Sequence, residues 1–244
     1  MTLFRIIRRS FRHYLAGNLA TAAGMAITTA VICGALIIGD SLQHSLLGVV
    51  DQRLGQTTHV VSAGERIFTM GLAERLDAAT QGNAAAVLKT EASMVTEESG
   101  LQLNKVQVWG VDDRFERLYP EEDFVLPGPG KALISENLAT RLGLQAGDHM
   151  LVRFRKVGHI PPNTPFVAEG QQGISRRLRI AGILDGAAGR LNLQASQTAP
   201  YNLFVDIGWL NRVMDLREVA NLVLMGAGGQ QGTEEVRALV QEAE

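Results

Sequence analysis

Between Tyr14 and Gly39 the chain runs for 26 residues without a charged side chain, and Leu19–Ile38 is dense in Ala, Ile, Leu, Val and Met. A helix rises about 1.5 Å per residue, so about 20 apolar residues cross a hydrocarbon core about 30 Å thick. The segment therefore reads as a membrane-spanning helix over residues 16–39. A cleaved export signal also opens on a basic stretch, but its apolar core is about 7–15 residues long and ends at a small-x-small site. Here the run is longer and ends in Ile37-Ile38-Gly39-Asp40. It reads as an anchor. Ala20, Gly24 and Thr28 recur every four residues within it, a small-xxx-small spacing that lets another helix approach closely.

The flanks give the orientation. Arg5, Arg8, Arg9 and Arg12 precede the span, and no acid occurs before Asp40. By the positive-inside bias these arginines hold the N-terminus in the cytoplasm, and everything after Asp40 is exported. Residues 1–15 also read as a basic amphipathic segment, with Phe4, Ile7 and Phe11 on one helical face, suited to a membrane-lipid surface. The formal net charge of −2 hides this split: residues 1–39 carry +4, while the rest carries 19 basic against 25 acidic groups, a balance of −6. A nucleic-acid binder carries its positive charge on the folded domain, so no nucleic acid is expected as a partner.

Residues 46–244 are long enough to bury a core of their own. They read as alternating strands and short helices, with no internal repeat. Thr58–Ser62 is strand-like, and Phe68–Ala79 places Phe68, Leu72 and Leu76 on one helical face. Ala84–Leu88 and Ser93–Thr96 look extended, and Val106–Val111 alternates as a half-buried strand does. Glu121–Gly130 is the clearest loop. After a strand at Ala132–Ile134, Ser135 is a natural N-cap, Glu136 suits the helix dipole and Gly143 can end the helix in a left-handed turn. Strands follow at Met150–Phe154 and, past a hairpin-like stretch through Pro161, Pro162 and Pro165, at Leu178–Ile183. Leu203–Val205, a helix at Ile207–Met214, Leu222–Met225 and a helix capped by Thr233 that carries Val236, Leu239 and Val240 complete the pattern.

Catalytic chemistry is missing from this pattern. Five scattered histidines and the single Cys33 have no metal-ligand spacing, so no metal and no other cofactor is expected. Gly128-Pro129-Gly130-Lys131 and Gly226-Ala227-Gly228-Gly229 lack the partners of a phosphate loop and read as turns. The chain is read as non-catalytic, with Glu121-Glu122-Asp123 and Glu234-Glu235 as solvated acids. Arg153, Arg155 and Lys156, with Arg176, Arg177 and Arg179, lie on two segments that would pair into a positive strip. Such a strip either docks an anionic partner or guards a sheet edge against unwanted pairing.

Four features in this order resemble the MacB/FtsX-like ABC-transporter permeases, specifically their N-terminal half. They are the basic lead and first membrane helix ending in Gly39-Asp40-Ser41; the strand Val106–Val111 with Gly110 and Asp112, followed by Phe115; the segment from Leu133-Ile134-Ser135 through Gly143 to Gly147-Asp148; and Leu178–Ile183 with Gly182. The resemblance implies an α+β fold: a single N-terminal transmembrane helix, then a mixed periplasmic core domain. That domain would have a porter-like part at 50–111 and 199–244 and a strand-rich insertion at 112–198. It implies the bacterial inner membrane, a cytoplasmic ABC ATPase subunit on a separate chain, a permease dimer, and export, lipoprotein or lipid extraction, or mechanotransmission as the work coupled to ATP. Family members have further membrane helices after the core domain, so a chain ending at Glu244 is expected to be part of a longer protein. The rival reading is a single-pass membrane-anchored periplasmic binding or adaptor module; a hydrolase lacks any nucleophile–base constellation.

Overall fold

The computed structural model describes residues 3–226 apart from 63, 65, 81, 98, 99, 123, 156–172, 195 and 197. The expected proline-rich connection and the helix after Thr233 lie outside the described residues. Residue contacts divide the chain into two units, Met1–Val49 and Val50–Glu244.

In the first unit α1 spans Leu3–His13, and α2 begins at Leu15 and runs to Leu54 in the second unit. Only Tyr14 separates them, and its N–H still donates to the Ser10 carbonyl at 3.1 Å. The span read from the apolar run ends at residue 39, and the polar stretch after it reads as a link to the domain at 46–244, but the helix continues for fifteen residues more. Ser41–Leu47 contain no proline or glycine, so a change of polarity does not interrupt the hydrogen-bond ladder. At 40 residues α2 measures about 60 Å, roughly twice a hydrocarbon core.

The second unit is built on one eight-stranded sheet of β1 (Thr57–Ser62), β3 (Ala84–Thr96), β4 (Gln102–Val111), β5 (Lys131–Ser135), β6 (His149–Phe154), β7 (Ile174–Leu184), β8 (Asn202–Asp206) and β10 (Leu222–Gly226). A small ribbon pairs β2 (Phe68–Thr69) with β9 (Val219–Ala220). The helices are α3 (Met70–Ala79), α4 (Glu136–Leu142) and α5 (Ile207–Val213). Phe68 thus belongs to a strand, and the helix expected from it starts two residues later. The two extended segments at Ala84–Leu88 and Ser93–Thr96 are a single strand. The polar Lys89-Thr90-Glu91 between them blurred its alternation, but all three residues stay in the ladder with β4.

The sheet order is β1-β10-β3-β4-β8-β5-β7-β6, and β6 also pairs with β3. Six strands, β3, β4, β8, β5, β7 and β6, therefore close into a ring. The 13-residue β3 makes this possible. Along one edge it pairs with β4; along the other it pairs with β10 through Ala84–Val87 and with β6 through Ala92–Thr96. Where those two neighbours diverge, the Asn221 side chain fills the fork: its Oδ1 accepts from Lys89 N–H at 2.7 Å and its Nδ2 donates to Lys89 O at 2.8 Å. One extra residue in β4 near Lys105, which has a φ of 62°, bulges the sheet close to the same place.

Two cores cover the sheet. Alternate residues of the ring, among them Met94, Val108, Ile134, Val152, Phe154 and Ile180, join α3, α4 and α5 in an aliphatic core. Trp109, Phe115, Tyr119, Phe124 and Phe204 form the aromatic centre of the second core, with ring centroids 5.0–6.4 Å apart.

Candidate functional site

The sites expected from sequence fall on three different structures. Arg5, Arg8, Arg9 and Arg12 are exposed along α1. Ala20, Gly24 and Thr28 are exposed along α2, and the Thr28 hydroxyl donates to Gly24 O at 2.8 Å, which satisfies it within the helix.

The remaining seven lie in the second unit. Gly110 sits under α5, where a Cβ would lie 2.7 Å from the Leu210 side chain. Gly143 ends α4 at a φ of 66° and Gly147 turns the chain at 104°, while Asp148 Oδ2 accepts from Gln145 N–H at 2.7 Å. Gly182 follows a one-residue slip between β5 and β7, with Leu133 against it. Ser135 occupies the N-cap position but does not cap α4. Its hydroxyl accepts from Asn202 N–H at 3.0 Å, joining β5 to β8.

Asp112, at the end of β4, is buried. Its Oδ2 accepts from Arg114 Nε and Nη2, both at 2.7 Å, and from Ala86 N–H at 3.4 Å. Burial raises the Asp112 carboxyl above its ordinary pKa, with Arg114 opposing. Arg114 reaches Asp77 of α3 at 3.8 Å, and Asp77 accepts from Ala84 N–H at 2.9 Å. Burial works against the charge on Arg114, but Asp112 and Asp77 more than offset it, and its pKa is raised. The cluster fastens α3 and the starts of β3 and the 3₁₀ turn Asp113–Leu118 to one point. Its placement is structural.

The most constrained constellation was not anticipated from sequence. It lies where α2 enters the second unit. Gly55, at a φ of +56°, ends the helix, and a Cβ there would lie 2.5 Å from Leu118 O and 2.7 Å from the Tyr119 ring. Glycine alone fits. Gln56 N–H donates to Leu118 O at 2.9 Å. The buried Tyr119 hydroxyl donates to Arg53 O at 3.1 Å, satisfying a carbonyl that the helix end leaves open. Burial, with Glu122 nearby, pushes the Tyr119 phenol well above its ordinary pKa, so it remains a donor. Arg53 is only 7% exposed, and its Nη1 donates to Ser196 O at 2.6 Å. Leu54 packs on the aromatic core. The signal was present as Arg53 followed by Gly55, a helix-end pattern, but its partners lie more than 60 residues away in sequence.

No cluster of metal-ligating side chains occurs among the described residues. A cavity of about 510 Å³ is lined by Glu97, Gly143, Asp148, His149 and Arg177 among others. The joint combines one backbone–backbone bond with two side-chain bonds to backbone carbonyls.

Comparison with known proteins gives a family match over nearly the whole chain: the model of the MacB-like periplasmic core domain aligns with residues 19–243. Among solved structures, the periplasmic region of MacB from Actinobacillus actinomycetemcomitans aligns at 8% identity and a TM-score of 0.49, covering 79% of this chain and 84% of that one. The extracellular domain of the noncanonic ABC-type transporter YknZ from Gram-positive bacteria aligns at 11% identity and a TM-score of 0.43, covering 71% and 78%. No curated protein sequence matches. With one helix, among the described residues, long and apolar enough to cross a membrane and a mixed α and β domain after it, the chain belongs to the MacB-like periplasmic core domain family of ABC-transporter permeases.

Proposed function

We propose that this chain is the N-terminal part of a permease in which α2 carries motion between the membrane and an extracytoplasmic domain, coupled to ATP hydrolysis by a separate cytoplasmic subunit. The observation that carries this reading is the joint at Arg53–Gln56. α2 proceeds without a break from its apolar stretch to a terminus held by Tyr119, Leu118 and Ser196. Since a hydrocarbon core takes up only about half of a 60 Å helix, the remainder is a spacer in water. A helix is stiff along its axis, and a terminus held by hydrogen bonds and packing transmits displacement that a glycine-rich linker would absorb.

The reading includes a cytoplasmic N-terminus set by Arg5, Arg8, Arg9 and Arg12, α1 lying on membrane lipid, and helix packing through Ala20, Gly24 and Thr28 in a permease dimer. It places the main domain outside the bacterial inner membrane, with 50–111 and 199–244 as the porter-like part and 112–198 as the insertion, whose Leu118, Tyr119 and Ser196 hold the helix terminus. The work done is mechanical, with no bond made or broken by this chain.

The test uses the full permease with its ATPase in lipid nanodiscs, Cys33 replaced by Ser and spin labels on the core domains of two copies. Distances should change with ATP. Four glycines inserted after Gly48 should abolish the change while ATP hydrolysis continues. An unchanged ATP response in the insertion variant would refute coupling through α2.

A further inference from the structure

The cations of β5, β6 and β7 gather on the outside of the ring. Lys131 pairs in register with Arg179, and Arg179 with His149, so three basic side chains form one cross-strand rung, all exposed. The next rungs hold Arg177 opposite Leu151, then Arg153 between Ser93 and Ser175. Arg155 follows. Among the described residues the exposed cations Lys131, Arg153, Arg155, Arg177 and Arg179 make two ion pairs, Arg155 with Glu91 at 3.3 Å and Arg177 with Glu97 at 2.7 Å. Among the described residues no carboxylate pairs with Lys131, Arg153 or Arg179. The connection at 156–172 contains one lysine and one glutamate and brings no net charge.

Like charges directly opposite on neighbouring strands, about 4.8 Å apart, destabilise a sheet. Edge protection does not account for them. Arg153 has a ladder partner on each side, in β3 and β7, and so has Arg179, in β5 and β6. There is no edge at these positions to guard.

We infer that the outer face of β5, β7 and β6 is a docking surface for an acidic polypeptide segment. Charge complementarity selects the sign of the partner. The half-exposed Leu151, opposite Arg177 and between the rungs of Arg179 and Arg153, fits a chain that alternates acidic and apolar side chains. The rungs repeat every two residues along the strands, about 6.6 Å, which is also the spacing of alternate side chains in an extended peptide. This inference stands apart from coupling through α2; either can fail alone.

The full chain in phosphatidylcholine nanodiscs is titrated into a fluorescein-labelled octapeptide of alternating Glu and Leu, read by anisotropy at low and high salt. Wild type should bind at low salt and weaken as salt rises. Lys131→Gln/Arg153→Gln/Arg179→Gln should lose about tenfold in affinity, whereas Arg153→Lys/Arg179→Lys should retain it, which separates charge from damage to the fold. The inference is overturned by absence of binding, by equal affinity of the neutralised variant, or by equal binding of an alternating Lys and Leu peptide. Flotation of the nanodisc-held chain with phosphatidylglycerol vesicles, without peptide binding, would overturn it in favour of a lipid headgroup.

Discussion

The two ends of the sheet are built on different terms. At the ring end every strand has two neighbours, and the interior is apolar: Val152, Phe154, Leu178 and Ile180 are at most 1% exposed. At the other end β1 has a single strand neighbour, β10, among the described residues. What steadies it is not a second ladder but a set of polar fastenings: Gln56 and Tyr119 on the helix terminus, Asp112 with Arg114 and Asp77, and Arg53 on Ser196. The difference sets where local opening should cost least. A closed ring of packed side chains has no soft mode short of opening, whereas hydrogen-bonded fastenings can exchange locally at lower free energy.

The contrast predicts effects of decreasing size. Phe154→Ala, inside the ring and edge-on to Trp209, should cost about 3–5 kcal/mol in chemical denaturation of the detergent-solubilised chain. A loss below about 1 kcal/mol would break the comparison. Gly55→Ala places a Cβ against Leu118 O in a left-handed backbone and should cost about 2 kcal/mol. Its signature is local: amide exchange should quicken over β1 and stay unchanged in β6 and β7, and an equal rise in both would show that the ends are not separable. Tyr119→Phe leaves the Arg53 carbonyl without its buried donor and should cost about 1 kcal/mol. Asp112 gives a slope rather than an offset. Its folded pKa is raised above the ordinary value, so the folded state holds that proton more tightly than the unfolded state. Its contribution is greatest below the unfolded pKa and declines as pH rises through the folded one. Stability of wild type relative to Asp112→Asn should therefore fall with rising pH across that window, and a flat difference would count against the burial.

Much of the fold was legible because strands with regular alternation announce themselves. Val106–Val111 and Met150–Phe154 lie within β4 and β6. The left-handed stop at Gly143 was readable for the same reason, since it depends on neighbours only. What escaped was decided by distant partners. Ser135 had the local pattern of a cap, yet Asn202, 67 residues away, takes its hydroxyl. Closure of the ring rests on β3 meeting β6 across more than 50 residues, and no periodicity encodes that pairing. The helix joint was hidden twice, by its remote partners and by the polar stretch after Asp40 that looked like a linker.

Because β3 serves both the ring and the open sheet, neither can be removed without taking a wall from the other. Residues 112–198 supply β5, β6 and β7 but not β3, β4 and β8, which complete their circle. Cut out alone, that stretch would expose the seam of β6 that meets β3 and the seam of β5 that meets β8 to solvent and to other chains. Swapping insertions between relatives would then succeed only when the seams offered by β3 and β8 match.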